Sequence, residues 1–507
     1  LSTIKKFAGQ TAIYGLSTII SRMIYFILTP IYTRTLTVGA NGVFTTVYGS
    51  ASIINNILAF GMETTYFRYL QKRSDSKQQV YNNAFGVIIA VSLLFLVFAL
   101  FFLDPIVNYM QAGVVKDHAD YTFYVKCFLV ILVLDAFCVM PFAKLRAEGR
   151  PMKYAIIKCS NIALVMALNL FFLFGVPFMI SHHLPGSTWM VSWFRPHWVG
   201  YVFLANAIAS GLTILLLLPE VLQLRLKFDV AMYREMFTYS WPVLIANLSY
   251  IINESLDKVM LKQILPAGIA DRDVGIYGTC AKIALFLSLF VNAFKLGAEP
   301  FFFSHAKNKN AGDTYARIMN YFVIMVAVIC VGLVANINIL ATFIVGKETH
   351  LVKNHIVHNP FWQGLGVVPP LLFGYLSLGI YMNLSVWYKL SDQTKYGLYI
   401  SGIGAILTIL LNWLLIPQYS YMASAWISFA AYATMMVLSY IWGQKNYPIP
   451  YNLKKNLAYI MVSGLFVFLS FKVFNRNIFV GNGLLLLFAA GAYYFERREL
   501  KAIFKRG

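Results

Sequence analysis

The sequence predicts an all-α integral membrane protein of about fourteen transmembrane helices, built as two six-helix lobes related by a pseudo-twofold axis along the membrane normal, plus two extra C-terminal helices. Three observations predict it. Apolar residues make up 59% of the 507 residues and charged ones 12%, with a mean hydropathy of +0.67, so the bilayer must be the solvent. Apolar runs of about 20 residues, the length that crosses the hydrocarbon core as a helix, recur from residue 10 almost to the end. Features of the first half also return in the second at a nearly constant offset.

In order, the expected spans are 10–34, 43–67, 81–103, 121–143, 154–178, 199–222, 236–261, 275–303, 317–345, 367–388, 396–416, 421–442, 456–474 and 478–495. Their helical period and length exclude an outer-membrane barrel, whose strands need only about ten alternating residues. The first span is full length and passes through Arg22 without a small-residue cleavage site, so it is expected to be retained rather than removed as a signal. It carries Thr11, Gly15, Thr18, Arg22, Tyr25 and Thr29 on one stripe, with Ile13, Ile20, Ile24, Ile27 and Ile31 off it. One face therefore meets protein or water and the other lipid. The second span adds Tyr48, Ser52, Asn56 and Glu63, and the fourth adds Asp135. The seventh adds Asn247, Glu254, Asp257 and Lys258; the eighth carries Lys282, Ser288, Asn292, Lys295 and Glu299 along one broad face. In both halves the polar stripes fall on the first two helices of the repeat, which suits helices lining a shared cavity.

Charge in the connections sets the orientation. Lys and Arg gather in alternate loops, at 68–77, 144–158, 225–234, 307–317, 389–395, 445–455 and 497–506, and with Lys5 and Lys6 these account for 27 of the 41 basic residues. The positive-inside rule then places both termini in the cytoplasm, as a multi-pass protein of a bacterial inner membrane. The net charge of +21 does not point to nucleic acid, because the basic residues are scattered over short loops rather than collected on one face.

The repeat is read from four matches in one order. NGVFTTVYGS from Asn41 resembles VGIYGTCAK from Val274, and GMETTYFRY from Gly61 resembles GAEPFFFSH from Gly297. Tyr81 and Tyr315 each open the next span, and Lys153-Tyr154 with Asn169 matches Lys395-Tyr396 with Asn412. With six helices per repeat, both halves enter the membrane in the same direction. The expected organisation is an N-lobe over 1–222, a cytoplasmic linker over 223–235, a C-lobe over 236–443, and helices thirteen and fourteen with a basic tail over 444–507.

Charge at bilayer depth costs at least a few kcal/mol, so each such group needs a partner, water or a function. Glu254 with Lys258 and Lys295 with Glu299 are four apart, which suits ion pairs within one helix. Arg22 and Lys282 have no acid three or four residues on, and are the first candidates for substrate contact. Asp135 is a candidate partner for Arg22. Glu63 and Glu299 close equivalent helix ends; Glu63 is the better coupling site for a proton or cation, since Lys295 lies one turn before Glu299. The alternative role for Glu63 is an ion pair with Arg68 or Arg73.

Seven histidines, His118, His182, His183, His197, His350, His355 and His358, fall in loops of the outer face, where interfacial polarity explains them better than a metal site. The five cysteines show no C-x-x-C spacing and read as small buried apolar residues. Neither a phosphate-cradling G-x-x-x-x-G-K-[ST] loop, nor a G-x-S-x-G elbow, nor an H-E-x-x-H pair occurs. No cofactor and no catalysis are expected.

The stretch Asn253-Glu254-Ser255-Leu256-Asp257-Lys258-Val259-Met260-Leu261, followed after an outer loop by Val274-Gly275-Ile276-Tyr277-Gly278, resembles the seventh and eighth helices of oligosaccharide flippases. These are members of the multidrug/oligosaccharidyl-lipid/polysaccharide exporter superfamily. Thr33-Arg34-Thr35-Leu36 before Gly42-Val43-Phe44 resembles their first two helices. The resemblance implies a Wzx-type flippase carrying a polyprenyl-diphosphate-linked oligosaccharide from the cytoplasmic to the periplasmic leaflet by alternating access. A diphosphate needs desolvated cations, for which Arg22, Lys258, Lys282 and Lys295 are candidates; Asn56, Asn247 and Asn292 suit sugar hydroxyls. Glu63, Asp135, Glu254, Asp257 and Glu299 are the candidate coupling or structural acids. Expected partners are the lipid-linked sugar, membrane lipids, a coupling proton or sodium ion, and polysaccharide assembly proteins. Rival readings are a lipid II flippase, a multidrug and toxin exporter, and a non-transporting scaffold of an envelope assembly complex.

Overall fold

The computed structural model describes residues 26–111, 118–225, 227–305, 310–352, 355–391 and 393–504. Arg22 and most of the first expected span lie outside them. Among the described residues the fold is all-helical apart from one short pair of antiparallel strands, and ten helices are long and apolar enough to cross a membrane. The chain divides into two compact units, Leu1–Gly275 and Ile276–Gly507.

In the first unit α1 covers 26–35 and α2 covers Val38–Ala59. The second expected span does not run straight into α3, Met62–Lys72. Phe60 and Gly61 take φ of 50° and 64°, and a Cβ on Gly61 would press on the Ser240 carbonyl, so this left-handed turn needs glycine. Then follow α4 Lys77–Phe101, α5 Leu103–Gln111, α6 His118–Ala147 and α7 Pro151–Leu170. A π turn at Phe171–Gly175 carries α7 into α8, Val176–Ser181. The connection after α8 holds a short helix, α9 Ser187–Trp193, before α10 Gly200–Leu216 and α11 Leu218–Val221. The last helix wholly within the unit is α12, Val230–Ile264. It packs along α2, and its charged second half, Glu254, Asp257, Lys258 and Lys262, keeps it out of the apolar set. At the basic end Glu235 of α12 accepts from Lys72 and Arg73 at 3.3 and 3.1 Å, and Arg68 stacks on Tyr239.

Helix α13, Ala267–His305, begins in the first unit and continues into the second. There α14 Ala311–Ala335 and α15 Ile337–Val345 replace the single expected ninth span. Asn336 sits at the break, exchanging side-chain hydrogen bonds of 3.1 and 3.2 Å with Asn482. The connection over 346–366 contains an antiparallel pair, β1 Thr349–Val352 with β2 His355–His358. A 3₁₀ turn then leads into α16, Val368–Leu384, and α17, Val386–Leu390. The 52-residue α18, Lys395–Asn446, contains Pro417 and a non-helical Ser420. Twelve residues of straight helix span about 18 Å, yet Ser424 donates to Asn412 at 2.7 Å, so the chain folds back there and α18 is two spans. Finally α19 Leu453–Phe468 and α20 Ile478–Phe504 pack on α14. They are tied by Glu496, which accepts from Lys455 at 2.7 Å and Tyr459 at 2.9 Å.

The repeated residues do the same local work in each unit. Tyr81 and Tyr315 are buried and donate to backbone carbonyls, of Glu220 at 2.9 Å and Phe302 at 2.7 Å. Asn169 and Asn412 are fully buried and each donates to the carbonyl four residues back.

Candidate functional site

Within the first unit, α2, α3, α6, α7 and α10 enclose a polar cavity of about 680 Å³. Helical spacing builds each wall: Asp135, Cys138, Val139, Phe142 and Arg146 from α6; Tyr154, Lys158, Asn161 and Ile162 from α7; Asn206, Ser210 and Thr213 from α10. At one end Arg146, in the last turn of α6, donates to Glu63, in the first turn of α3, at 2.5 Å. Glu63 is thus answered by Arg146, not by Arg68 or Arg73, and the cation that the sequence did not place beside it comes from another helix. Deeper in, Asp135 lies twelve residues before the end of α6, about 18 Å along the axis. Its carboxylate accepts from Ser210 at 2.8 Å. Lys158 lines the same cavity and rests on the Phe142 ring at 4.4 Å, while Asn161 donates to Thr213 at 2.9 Å. This arrangement sets two acids, two cations and several neutral donors around one polar cavity; such a set can bind water and pass protons, and among the described residues it offers no activated nucleophile.

A second polar set lies on α2 and α12. Asn247 is the midpoint of α12 and is exposed; Ser52 on α2 is exposed as well. Asn56 is half-buried, and its amide nitrogen has no hydrogen-bond partner among the described residues. Lys258 donates to the Glu254 carbonyl at 2.8 Å, and the carboxylate it meets, at 2.9 Å, is that of Asp257, which is buried. The expected Glu254 to Lys258 pairing is therefore made through the Glu254 backbone, and the ionic partner is the neighbouring acid.

The N-terminal ends of α2 and α13 interlock. A Cβ on Gly42 would meet the Asp271 carbonyl, and one on Gly275 the Val38 carbonyl. Beside them Lys262, 1% exposed, donates to Asp271 at 2.6 Å, and Tyr121 donates to the other Asp271 oxygen at 3.2 Å.

In the second unit Lys282 is half-buried on α13. Asn292 donates to the Ser288 carbonyl at 2.8 Å. Lys295 lines a small pocket with Asn383 and Lys389. The Glu299 side chain lies outside the described residues, so its expected pairing with Lys295 does too.

The family model described as polysaccharide biosynthesis protein matches residues 7–304. The chain belongs to the polysaccharide biosynthesis protein family. No curated protein matches it. Among solved structures, a lipid II flippase MurJ in an inward closed conformation is similar at TM-score 0.70 and 12% identity, covering 96% of this chain and 99% of that one. An inward-facing multidrug resistance MATE family transporter of the MOP superfamily matches at 0.63 and 12%, covering 86% and 95%. A Vibrio cholerae MATE transporter matches at 0.57 and 13%, covering 88% and 97%. At these identities the likeness is one of fold, and it places this member of the polysaccharide biosynthesis family on the helical scaffold expected from its sequence.

Sequence reasoning placed Glu63 and Asp135 without seeing that they share a cavity in this family member. In the sequence Arg146 and Lys158 count only as loop charges, and nothing there marks Asn161 as a partner of Thr213. A signal was available: Asn206, Ser210 and Thr213 stand at i, i+4 and i+7 in an otherwise apolar helix, the pattern of one wetted face.

Proposed function

We propose that the chain is a flippase carrying a polyprenyl-diphosphate-linked oligosaccharide from the cytoplasmic to the periplasmic leaflet of a bacterial inner membrane. Alternating access of two six-helix lobes, 1–222 and 236–443, would drive it, with a coupling proton. The observation that carries this reading is the exposed Asn247 at the midpoint of α12. An uncharged but strongly polar amide there avoids hydrocarbon only by facing water, and a water-filled path is what a sugar requires. Asn56, Asn247 and Asn292 suit the hydroxyls of the cargo. Arg22, Lys258, Lys282 and Lys295 are the proposed counter-charges for the diphosphate; Lys258 is already held by Asp257, so it serves as part of a pair. For coupling, Asp135 is the better acid than Glu63. Among the described residues its one hydrogen bond is from the neutral Ser210, whereas Glu63 is committed to Arg146.

Cysteine accessibility tests the path. In a cysteine-free background and intact membranes, Asn247→Cys is expected to react with a membrane-impermeant, charged thiol reagent, and lipid-linked cargo to slow that reaction. Ile406→Cys, an exposed apolar position of α18, should stay unlabelled as the lipid-facing control. Equal protection of both positions would place Asn247 in lipid and remove the support for this reading.

A further inference from the structure

At the basic end of the first unit lies a second cavity, of about 520 Å³, separate in its lining from the one that holds Asp135. Its walls come from α3, α4, the end of α6 and the segment after α11. The groups that matter are Lys144, Lys77, Tyr66, Gln78, Glu148 and Gln223.

Lys144 is 6% exposed. Its ammonium donates to the Gln223 side-chain oxygen at 2.5 Å and lies 4.3 Å from the centre of the Tyr81 ring. Among the described residues no carboxylate comes within ion-pair distance of it. A lysine carries three donors, and a buried charge satisfied only by an amide oxygen and a ring face is an incomplete arrangement. The nearby acids are committed to other cations. Glu220 takes Lys153 at 2.6 Å, and Glu148 takes Arg150 at 3.2 Å.

The other walls have the same bias. Tyr66 is 3% exposed and lines the cavity; its hydroxyl has no hydrogen-bond partner among the described residues. Lys77 is exposed, forms no ion pair among the described residues, and opens the 25-residue α4, whose first turn has no side-chain cap. The positive end of that helix therefore adds to the two ammonium groups. Phe67 and Leu70 make the remaining wall apolar.

We propose that this cavity binds a phosphate group, held between Lys144 and Lys77 with Tyr66 as a hydroxyl donor. The phosphate belongs either to an anionic lipid headgroup, with Phe67 and Leu70 against the start of its chain, or to a free phosphate compound. This inference does not depend on the transport reading, because none of the residues proposed to hold the cargo lines this cavity.

The test uses the full chain, purified and delipidated in a neutral detergent, with thermal unfolding and native mass spectrometry as readouts. One arm titrates inorganic pyrophosphate, with chloride at matched ionic strength as control. The other moves the protein into nanodiscs of phosphatidylcholine with or without phosphatidylglycerol. Saturable stabilisation by pyrophosphate supports a site open to soluble phosphates; retention of phosphatidylglycerol alone supports a headgroup site. Lys144→Met, which removes the charge and keeps the bulk, should weaken whichever binding is seen at least tenfold. Lys77→Gln, at an exposed position that leaves folding untouched, should weaken it several-fold. Binding in neither arm, or binding unchanged in both variants, would overturn the proposal.

Discussion

The backbone carbonyl of Asp271 fills the space that a side chain on Gly42 would occupy, so the N-terminal ends of α2 and α13 touch through main chain. The sequence already paired Gly42 with Gly275 as equivalent positions of its two repeats, and Gly275 in turn lies on the Val38 carbonyl. Each helix supplies the gap into which the other fits. Gly42→Ala should therefore destabilise this contact by about 1–3 kcal/mol, the usual cost of overpacking. Thermal unfolding in detergent reads it. Gly211→Ala is the control, since a methyl there meets nothing within 4 Å; it should leave stability unchanged or raise it slightly.

The Lys262 to Asp271 pair fastens the same corner, and its lysine is 1% exposed. Removing one partner strands the other, so Lys262→Ala is expected to cost about 3 kcal/mol. Lys262→Met combined with Asp271→Asn removes both charges and should recover at least half of that loss. A double variant as unstable as the single would mean that packing, not the stranded charge, sets the cost.

In the proposed cycle Asp135 and Glu63 separate by behaviour. Asp135→Asn keeps a group able to face Ser210 but abolishes proton exchange, and transport should lose its dependence on a pH gradient while cargo binding persists. Glu63→Gln breaks the Arg146 pair, both of whose side chains are partly exposed, and should change stability by about 1 kcal/mol or less, with gradient dependence retained. A gradient response intact in Asp135→Asn and lost in Glu63→Gln would exchange their assigned roles.

Much of the architecture was legible because hydropathy and loop charge act on every residue of a membrane chain. What the sequence hid were breaks and partners. Span two bends at Phe60 and Gly61 and span nine breaks at Asn336, because local backbone and side-chain hydrogen bonds decide there, and a hydropathy run does not register them. The Glu63 to Arg146 pair joins residues 83 apart, and no helical spacing rule reaches that far. Lys258 likewise took the adjacent Asp257 because the carboxylate and ammonium meet along the helix surface, which an i to i+4 rule overlooks.

The last two helices carry their own prediction. Glu496 is 3% exposed and holds both Lys455 and Tyr459. Glu496→Gln should loosen α19 from α20 and expose the pair to limited proteolysis, whereas Glu496→Gln with Lys455→Met should restore resistance by removing the stranded cation.

Carriage itself is tested most directly by flipping in proteoliposomes. The purified chain would be reconstituted with a fluorescent polyprenyl-diphosphate-linked oligosaccharide, and the share of sugar reachable by an external glycosidase or quencher followed over time. The expected result is a protein-dependent movement across the bilayer, accelerated by a pH gradient in the wild-type protein and insensitive to it in Asp135→Asn. No protein-dependent movement of the lipid-linked sugar, in vesicles where insertion and folding are verified, would contradict the assignment as a flippase of this cargo.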